Sequence, residues 1–462
     1  MTGPVRHSLM RISYRMLLLA LCLAASAIGL PVQAGQFSAT PAAESTGASP
    51  QHLSAKTRKQ VFENIWREIH DHYYDPAFNG VNWDEIHTKY LPLVESTKSD
   101  QEFYALMTAL TGELHDAHTR FSSPEQWRNY KKQQGVTAGF SVDDLDGRTV
   151  VTSVRSDSSA AHAGVEPGMV VVSVDGKPID ERIAEIEKSR AASSSDRATR
   201  MFVYGRLLAG PPNTTMKVGL ERADGSGLEV AVTRQIYSSV PEVATDVLPS
   251  GSAYIRFDGF QPAIVKQFKQ ALGRFRNSPG IVIDLRRNGG GDLSALLPIA
   301  GYFFDKKTLF ARDSTRSGKP LSQFAGIFRL PLELYVGRPG EQIYSGPVVI
   351  LTGARSASSS EVFAAGMQDT QRARIVGSPT CGCVLGIAKP RVMKGGGVLE
   401  MSEVVWFSPK GHKLEGAGIA PDESVVPTVS DLLQKRDPVV AEADKALHQM
   451  AAAERHGARP KI

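Results

Sequence analysis

The second half of this chain is predicted to be α/β with a mainly parallel sheet, behind an N-terminal helical region and a strand-rich middle. Three observations predict it. Short unbroken apolar runs, Ile281-Val282-Ile283 and Val348-Val349-Ile350-Leu351, have the character of strands buried on both faces. Between and after them lie segments with apolar residues at helical spacing: Ile264, Val265, Phe268 and Leu272, then Val362, Phe363 and Met367. The resulting β-α-β rhythm starts at Tyr254 and favours parallel pairing with crossover helices.

The elements follow in order. Arg6, Arg11 and Arg15 precede an apolar run from Met16 to Leu30, and Val32-Gln33-Ala34 is a small-x-small cleavage site. Residues 1–34 read as a secretory signal peptide cleaved near Ala34, so the mature chain is expected in the periplasm or outside the cell with no membrane span. A retained anchor is the alternative. Leu21 before Cys22 is too large for a good lipoprotein site. Removing the leader lowers the formal charge from +5 to +2, which leaves no nucleic-acid footprint. Residues 35–53 are rich in Ala, Ser, Thr, Gly and Pro and read as a linker.

Residues 54–134 form the helical region, with a helical pattern from Ser54 to Phe121. Val61, Ile65, Trp66 and Ile69 make one stripe, and Phe103, Leu106, Leu110 and Leu114 another. Residues 135–236 carry short strands and glycine turns. The α/β core spans 237–428, and residues 429–462 are a C-terminal helical segment, with a polar amphipathic helix over Ser430 to Met450.

The chemistry concentrates at Arg355 to Asp369, where a serine cluster sits at a strand-to-helix corner. Such a corner exposes a hydroxyl beside helix N–H groups able to stabilise an oxyanion. The plain alternative is a capping box, Ser358-x-x-Glu361. The run Asn288-Gly289-Gly290-Gly291 reads either as a turn or as backbone that approaches a substrate closely. His115 with His118, and His70 with His72, lack the companions of a zinc site, so no metal and no cofactor is expected. Cys381 and Cys383 either bridge across one glycine or remain free thiols.

Four ordered segments carry a resemblance. SASSSEVFAAGMQD with RARIVGSPT, IVIDLRRNGGGD, LEGAGIAPD and LHDAHTRFSSPEQ together resemble the carboxy-terminal processing (tail-specific) serine peptidases. The resemblance implies a crotonase-like spiral core with a PDZ domain inserted before it. Gly139, Phe140, Ser141 and Val142 resemble the PDZ carboxylate-binding loop, which holds the free C-terminus of a protein or peptide added to a sheet edge. By the same resemblance Ser358, three residues before Glu361, is the nucleophile rather than Ser356, Ser359 or Ser360. Oxyanion donors would be the N–H groups of Ser359 and Gly290. Ser360 is expected only to pack its helix.

The base departs from the common pattern. Thr380-Cys381-Gly382-Cys383 matches Thr-aromatic-Gly-Lys, so cysteine stands where most relatives have the lysine; Lys389 and Lys394 match only after a shift. More distant relatives, similar to the tricorn protease core, use a histidine ahead of the PDZ domain and a glutamate near the carboxyl end. Here those would be His118 and Glu415. Such a base would show as a rate rising through the ordinary histidine pKa of about 6–7. The expectation is therefore an exported serine endopeptidase; the rivals are a peptide-binding homologue without a base and a scaffold acting through its PDZ domain alone.

Overall fold

A computed structural model describes residues 52–455 apart from 189–192, 239, 320–321, 324–327, 330–331 and 339–342. The expected leader and nearly all of the linker lie outside the described residues. Among the described residues, no helix is long and apolar enough to cross a membrane.

Three helices come first: α1 (Ala55–His72), α2 (Trp83–Ser96) and α3 (Asp100–Gly112). Ser54, Asn82 and Ser99 cap them by accepting from the N–H groups of Thr57, Glu85 and Glu102, which satisfies donors left over at a helix start. The two predicted stripes meet in one core, where Val61, Ile65 and Ile69 join Phe103, Leu110 and Leu114. The helical pattern predicted to reach Phe121 stops earlier, at Gly112. Arg120–Ser122 is a strand, β1, because Phe121 reaches that same core from an extended backbone. Helix α4 (Pro124–Lys131) then starts from a capping box of Ser123 and Gln126.

The middle contains β2 (Gln134–Thr137), β3 (Phe140–Leu145), β4 (Arg148–Val154), α5 (Ser159–His162), β5 (Val170–Val174), β6 (Lys177–Pro178), α6 (Ile179–Lys188), α7 (Asp196–Arg206), β7 (Thr215–Glu221), β8 (Gly227–Thr233) and β9 (Gln235–Ser238). One sheet has the order β3-β4-β5-β7-β8, with β6 on β5, and the β2–β9 ribbon joins the two ends of the segment. Asp175 and Gly176, both at positive φ, make the two-residue turn between β5 and β6 that a tight hairpin requires. Strand β3 lies at the edge, with β4 as its one neighbour.

The α/β part runs through β10 (Ala244–Val247), β11 (Ala253–Arg256), α8 (Pro262–Arg274), β12 (Ile281–Asp284), α9 (Leu293–Gly301), β13 (Thr308–Thr315), β14 (Ser322–Gln323), β15 (Phe328–Arg329), β16 (Glu333–Val336), β17 (Val348–Thr352), α10 (Ser359–Asp369), β18 (Arg374–Gly377), β19 (Leu385–Ile387), β20 (Arg391–Val392), β21 (Val398–Glu400), β22 (Ser402–Phe407) and β23 (Glu423–Ser424). Its main sheet has the order β10-β11-β12-β17-β18-β23, parallel except at the β10 edge. Ile281, Ile283, Val348 and Ile350 enter the core that also holds Ile264, Phe268, Ile299 and Phe363. Val282, Val349 and Leu351 point the other way. Burial on both faces is why these runs are unbroken.

What covers that second face differs from expectation. Instead of one polar helix, α11 (Val429–Leu433) and α12 (Pro438–Arg455) are separated by a turn with Lys435 at positive φ. Val439, Ala443, Ala446 and Leu447 of α12 are buried against the sheet. Pro438 fits a first helical position and cannot continue a preceding helix. Among the described residues three antiparallel sheets complete the part, β16-β13-β22-β19, β1-β21-β20 and β14-β15. The pairing of Phe121 with Leu399 ties the N-terminal region, and with it His118, to the α/β part.

Candidate active site

Strands β12 and β17 are parallel neighbours, so the loops leaving their C-terminal ends come out side by side, where open α/β sheets place their ligands. One loop is Asn288–Gly291; the other is the serine corner. Hydroxyls sew the two together. Ser356 Oγ donates to the Leu285 carbonyl at 2.8 Å, and Ser359 Oγ to the Gly291 carbonyl at 2.5 Å. Ser360 Oγ lies 2.8 Å from the carbonyl and 2.7 Å from Oδ1 of Asn288. The reading of Ser360 as a packing residue is therefore corrected: it fixes a fully buried asparagine under the glycine loop. Ser360→Ala should lower stability by about 1–3 kcal/mol, the effect of a buried polar group losing its partner. Denaturant unfolding checks this, and a change below a few tenths would contradict the role.

Ser358 differs from its neighbours in its backbone. At φ 56° and ψ −121° it is not in the extended conformation of an ordinary N-cap such as Ser54, at φ −64° and ψ 156°. A non-glycine residue held there stores about 1–3 kcal/mol of strain and persists only when its surroundings over-determine it. Two acceptors do so: the Ser358 N–H faces the Cys383 carbonyl at 2.9 Å and Glu361 Oε2 at 3.1 Å. Gly290, at φ 99°, closes the other side. A Cβ there would come within 2.6 Å of Ser358 Cβ and 3.0 Å of the Ser359 nitrogen. The Ser359 N–H, at the first helical position, has no acceptor within its helix. The Gly290 N–H donates to Asn288 Oδ1 at 3.0 Å.

Glu361 makes the capping-box bond to the Ser358 N–H that the sequence allowed, and it does more. It is fully buried and accepts from the N–H groups of Ser358, Gly382 and Cys383 and from Thr380 Oγ1, at 3.1, 2.7, 3.0 and 2.6 Å. Burial pushes its pKa up to about 7 against those hydrogen bonds. Glu361 thus latches residues 380–383 onto the serine corner. Cys381 and Cys383 are joined as a disulfide. With Glu361 they form a cluster of metal-ligand type, but the sulfurs bond to each other and the carboxylate already takes four donors. Lys389 and Lys394 are exposed, and Lys394 Nζ reaches Gln60 on α1. Neither is in the buried setting that a neutral lysine base needs.

His118 follows a turn built by Asp116. That buried carboxylate accepts from the N–H groups of His118 and Thr119 at 2.7 and 2.6 Å and from the hydroxyls of Tyr73 and Ser402 at 2.8 and 3.0 Å. Ala117, one residue before the histidine, packs on Ala357, Cys381 and Cys383 beside the serine corner. The His118 Nδ1 is buried without a hydrogen-bond partner among the described residues. Burial lowers the His118 pKa to about 4, with Asp116 opposing and Arg120 adding to the shift. Glu415 Oε2 accepts from the Val384 N–H at 2.6 Å. Its pKa is pushed up to about 7, first by burial, with the charges of Asp116 and Glu361 adding. No hydrogen bond directly joins Ser358, His118 and Glu415 among the described residues. Catalytic hydrogen bonds are often long without substrate and tighten in the complex.

Gly139, Phe140, Ser141 and Val142 lead into and form the start of β3, with Gly139 at φ 84° against the Ser158 side chain. The Val142 carbonyl accepts from Arg355 Nη2 at 3.1 Å, so the edge strand touches the loop that carries Ser358.

Residues 251–425 match the profile of Peptidase family S41, and residues 54–112 that of the Tricorn protease C1 domain. A carboxyl-terminal-processing protease from Synechocystis is 27% identical over 393 residues, covering 82% of this chain and 83% of that protein. A tricorn protease homolog 2 from Streptomyces coelicolor is 25% identical over 412 residues, or 83% of this chain but only 32% of the relative. In three dimensions the chain resembles the photosystem II D1 C-terminal processing protease, with a TM-score of 0.54 and 21% identity over 80% of this chain and 94% of the other. The segment that matches peptidase family S41 contains Ser358, Gly290 and Glu415 together, and by its likeness to that family and to the carboxyl-terminal-processing proteases the chain is a serine-type peptidase.

Proposed function

We propose that this chain is an exported endopeptidase that cleaves proteins whose free C-termini are presented by a PDZ domain over residues 135–236. Its crotonase-like core, residues 237–428, would attack through Ser358. The observation that carries the reading is the strained Ser358, held against Gly290 while each neighbouring serine bonds to the framework. His118 takes the Ser358 proton, and Glu415 stabilises the imidazolium that forms. The Ser359 N–H receives the oxyanion; the Gly290 N–H joins it by exchanging Asn288 Oδ1 for the substrate oxygen. Cys383 fills the place of the usual lysine.

The rival, a peptide-binding homologue without a base, has no use for a strained serine or a buried carboxylate latch. Exposing the purified chain to a serine-reactive acylating probe separates the two. Stoichiometric labelling that Ser358→Ala abolishes supports the peptidase; absence of labelling together with inertness toward an unfolded substrate supports the binder.

The presentation step makes its own prediction. Strand β3 offers an open edge, and the loop at Gly139 would supply N–H groups to a terminal carboxylate. Amidating the C-terminus of a good substrate removes charge-assisted hydrogen bonds and should raise KM about tenfold, equivalent to the ~1.4 kcal/mol of one such bond. Equal KM values for acid and amide would take the groove out of the mechanism.

A further inference from the structure

The short segment Thr380 to Cys383 supports both the serine corner and the stretch that carries Glu415. The Cys383 carbonyl accepts the strained Ser358 N–H at 2.9 Å, and the Cys381 N–H donates to the Ser356 carbonyl at 2.9 Å. The Gly382 carbonyl accepts from the Gly416 N–H at 2.9 Å, and the Val384 N–H, one residue on, donates to Glu415. Gly382 turns the chain at φ 73°, and the Cα atoms of Cys381 and Cys383 lie 5.2 Å apart, inside the span of a disulfide. Both cysteines are fully buried. They share a small apolar cluster with Ala357, just before Ser358, with Ala117, just before His118, and with Ala198 and Met201 of α7. One disulfide therefore packs against the carriers of the nucleophile and of the proposed base.

The mechanism gives these sulfurs no part, yet they close a ring through Gly382 that fixes the Cys383 carbonyl. We propose that the Cys381–Cys383 disulfide is the positioning element of the serine corner, so that the peptidase is competent only in its oxidised form. Ser358 keeps its strained backbone because its surroundings over-determine it, and the Cys383 carbonyl is one of its two acceptors. Reduction breaks the S–S bond and leaves two S–H groups, weak donors that must find room among packed alanines. The loop at Gly382, no longer closed into a ring, is the element that yields. Its movement frees the Ser358 N–H, and Ser358 relaxes to the extended backbone of an ordinary cap with Glu361 as its capping-box partner. The hydroxyl is then misplaced for attack while the fold persists. Forming the bond removes two protons and two electrons from the two thiols; a disulfide-bearing oxidant takes them and leaves as a dithiol. A chain expected to be exported would meet such an oxidant beyond the membrane, so the gate would keep it silent until then.

The gate rests on the reading of Ser358 as nucleophile, so the readout is acylation of that residue by a serine-reactive probe in the full chain. Oxidised protein is compared with protein reduced by dithiothreitol, both with a chelator present. The chelator matters because the freed thiols and Glu361, with ligand atoms within 4.8 Å of one another, would offer an ion three ligands. Alkylation and mass mapping report the state of Cys381 and Cys383. Reduction should slow the acylation rate constant about 100-fold, the cost of misplacing a reacting group by about 1 Å, and a small disulfide oxidant should restore it. The constant belongs to each folded molecule. A merely stabilising disulfide would lower the labelled fraction or the unfolding midpoint and leave the constant alone. The double variant Cys381→Ser, Cys383→Ser, which needs no reductant to reach the buried pair, should be slow in both conditions. Free thiols at both positions in air-oxidised protein, or an unchanged constant in the reduced protein and the double variant, overturn the gate alone. Equal labelling of Ser358→Ala and the parent overturns the nucleophile and the gate together.

Discussion

Ser358→Ala is expected to abolish peptide cleavage while leaving unfolding unchanged within about 1 kcal/mol. Removing the oxygen ends the covalent route, and losing a nucleophile that acts in concert with its base costs on the order of 10⁶ in kcat. The fold should tolerate the change, because the Ser358 contacts that hold the corner run through its backbone N–H to Cys383 and Glu361. Alanine retains those contacts. The contrast with Ser360→Ala is the useful control: that variant should lose stability before it loses the ability to be acylated. Equal loss of activity in both variants, or loss in Ser360→Ala alone, would move the nucleophile.

His118→Ala is expected to lower kcat/KM by two to three orders of magnitude, typical of a positioned general base. Its pH signature differs from that of an ordinary histidine. Burial lowers the His118 pKa to about 4, so the ring stays neutral well below pH 6. Glu415, pushed up to about 7, becomes the limiting group. Only its ionised form stabilises an imidazolium, so the rate should rise with pH through about 7 and fall as the carboxylate is protonated below it. Glu415→Gln should lower the plateau and move the limb toward about 4, where His118 itself titrates. A limb that stays near 7 in that variant assigns it to Glu361, which burial pushes to the same range. Full activity in His118→Ala would refute the base.

Much of this was legible along the chain. Apolar runs such as Val348 to Leu351 show the parallel sheet because burial on both faces leaves no room for polar alternation. The serine corner and the glycine run are readable because a strained turn and a close backbone approach each demand particular residues locally. The stop of α3 at Gly112 was not readable, since Phe121 keeps helical spacing yet enters the core from a strand. Nor was the burial of α12, whose Val439, Ala443 and Leu447 look modest in a polar sequence but meet the second face of the sheet.

By itself the sequence determined the α/β class, the serine corner, the glycine loop and the absence of lysine at position 383. These are properties of residues adjacent in the chain, where periodicity, turn chemistry and a single side chain carry the information. Only the tertiary structure decided what surrounds them. Glu361 accepts from four donors drawn from two segments, Ser360 holds Asn288 from 72 residues away, and Ser194 accepts the Ala117 N–H from 77 residues away. Hydrogen bonds between distant segments leave no periodic trace in the sequence, and a buried carboxylate acquires its partners and its raised pKa only when the chain closes around it.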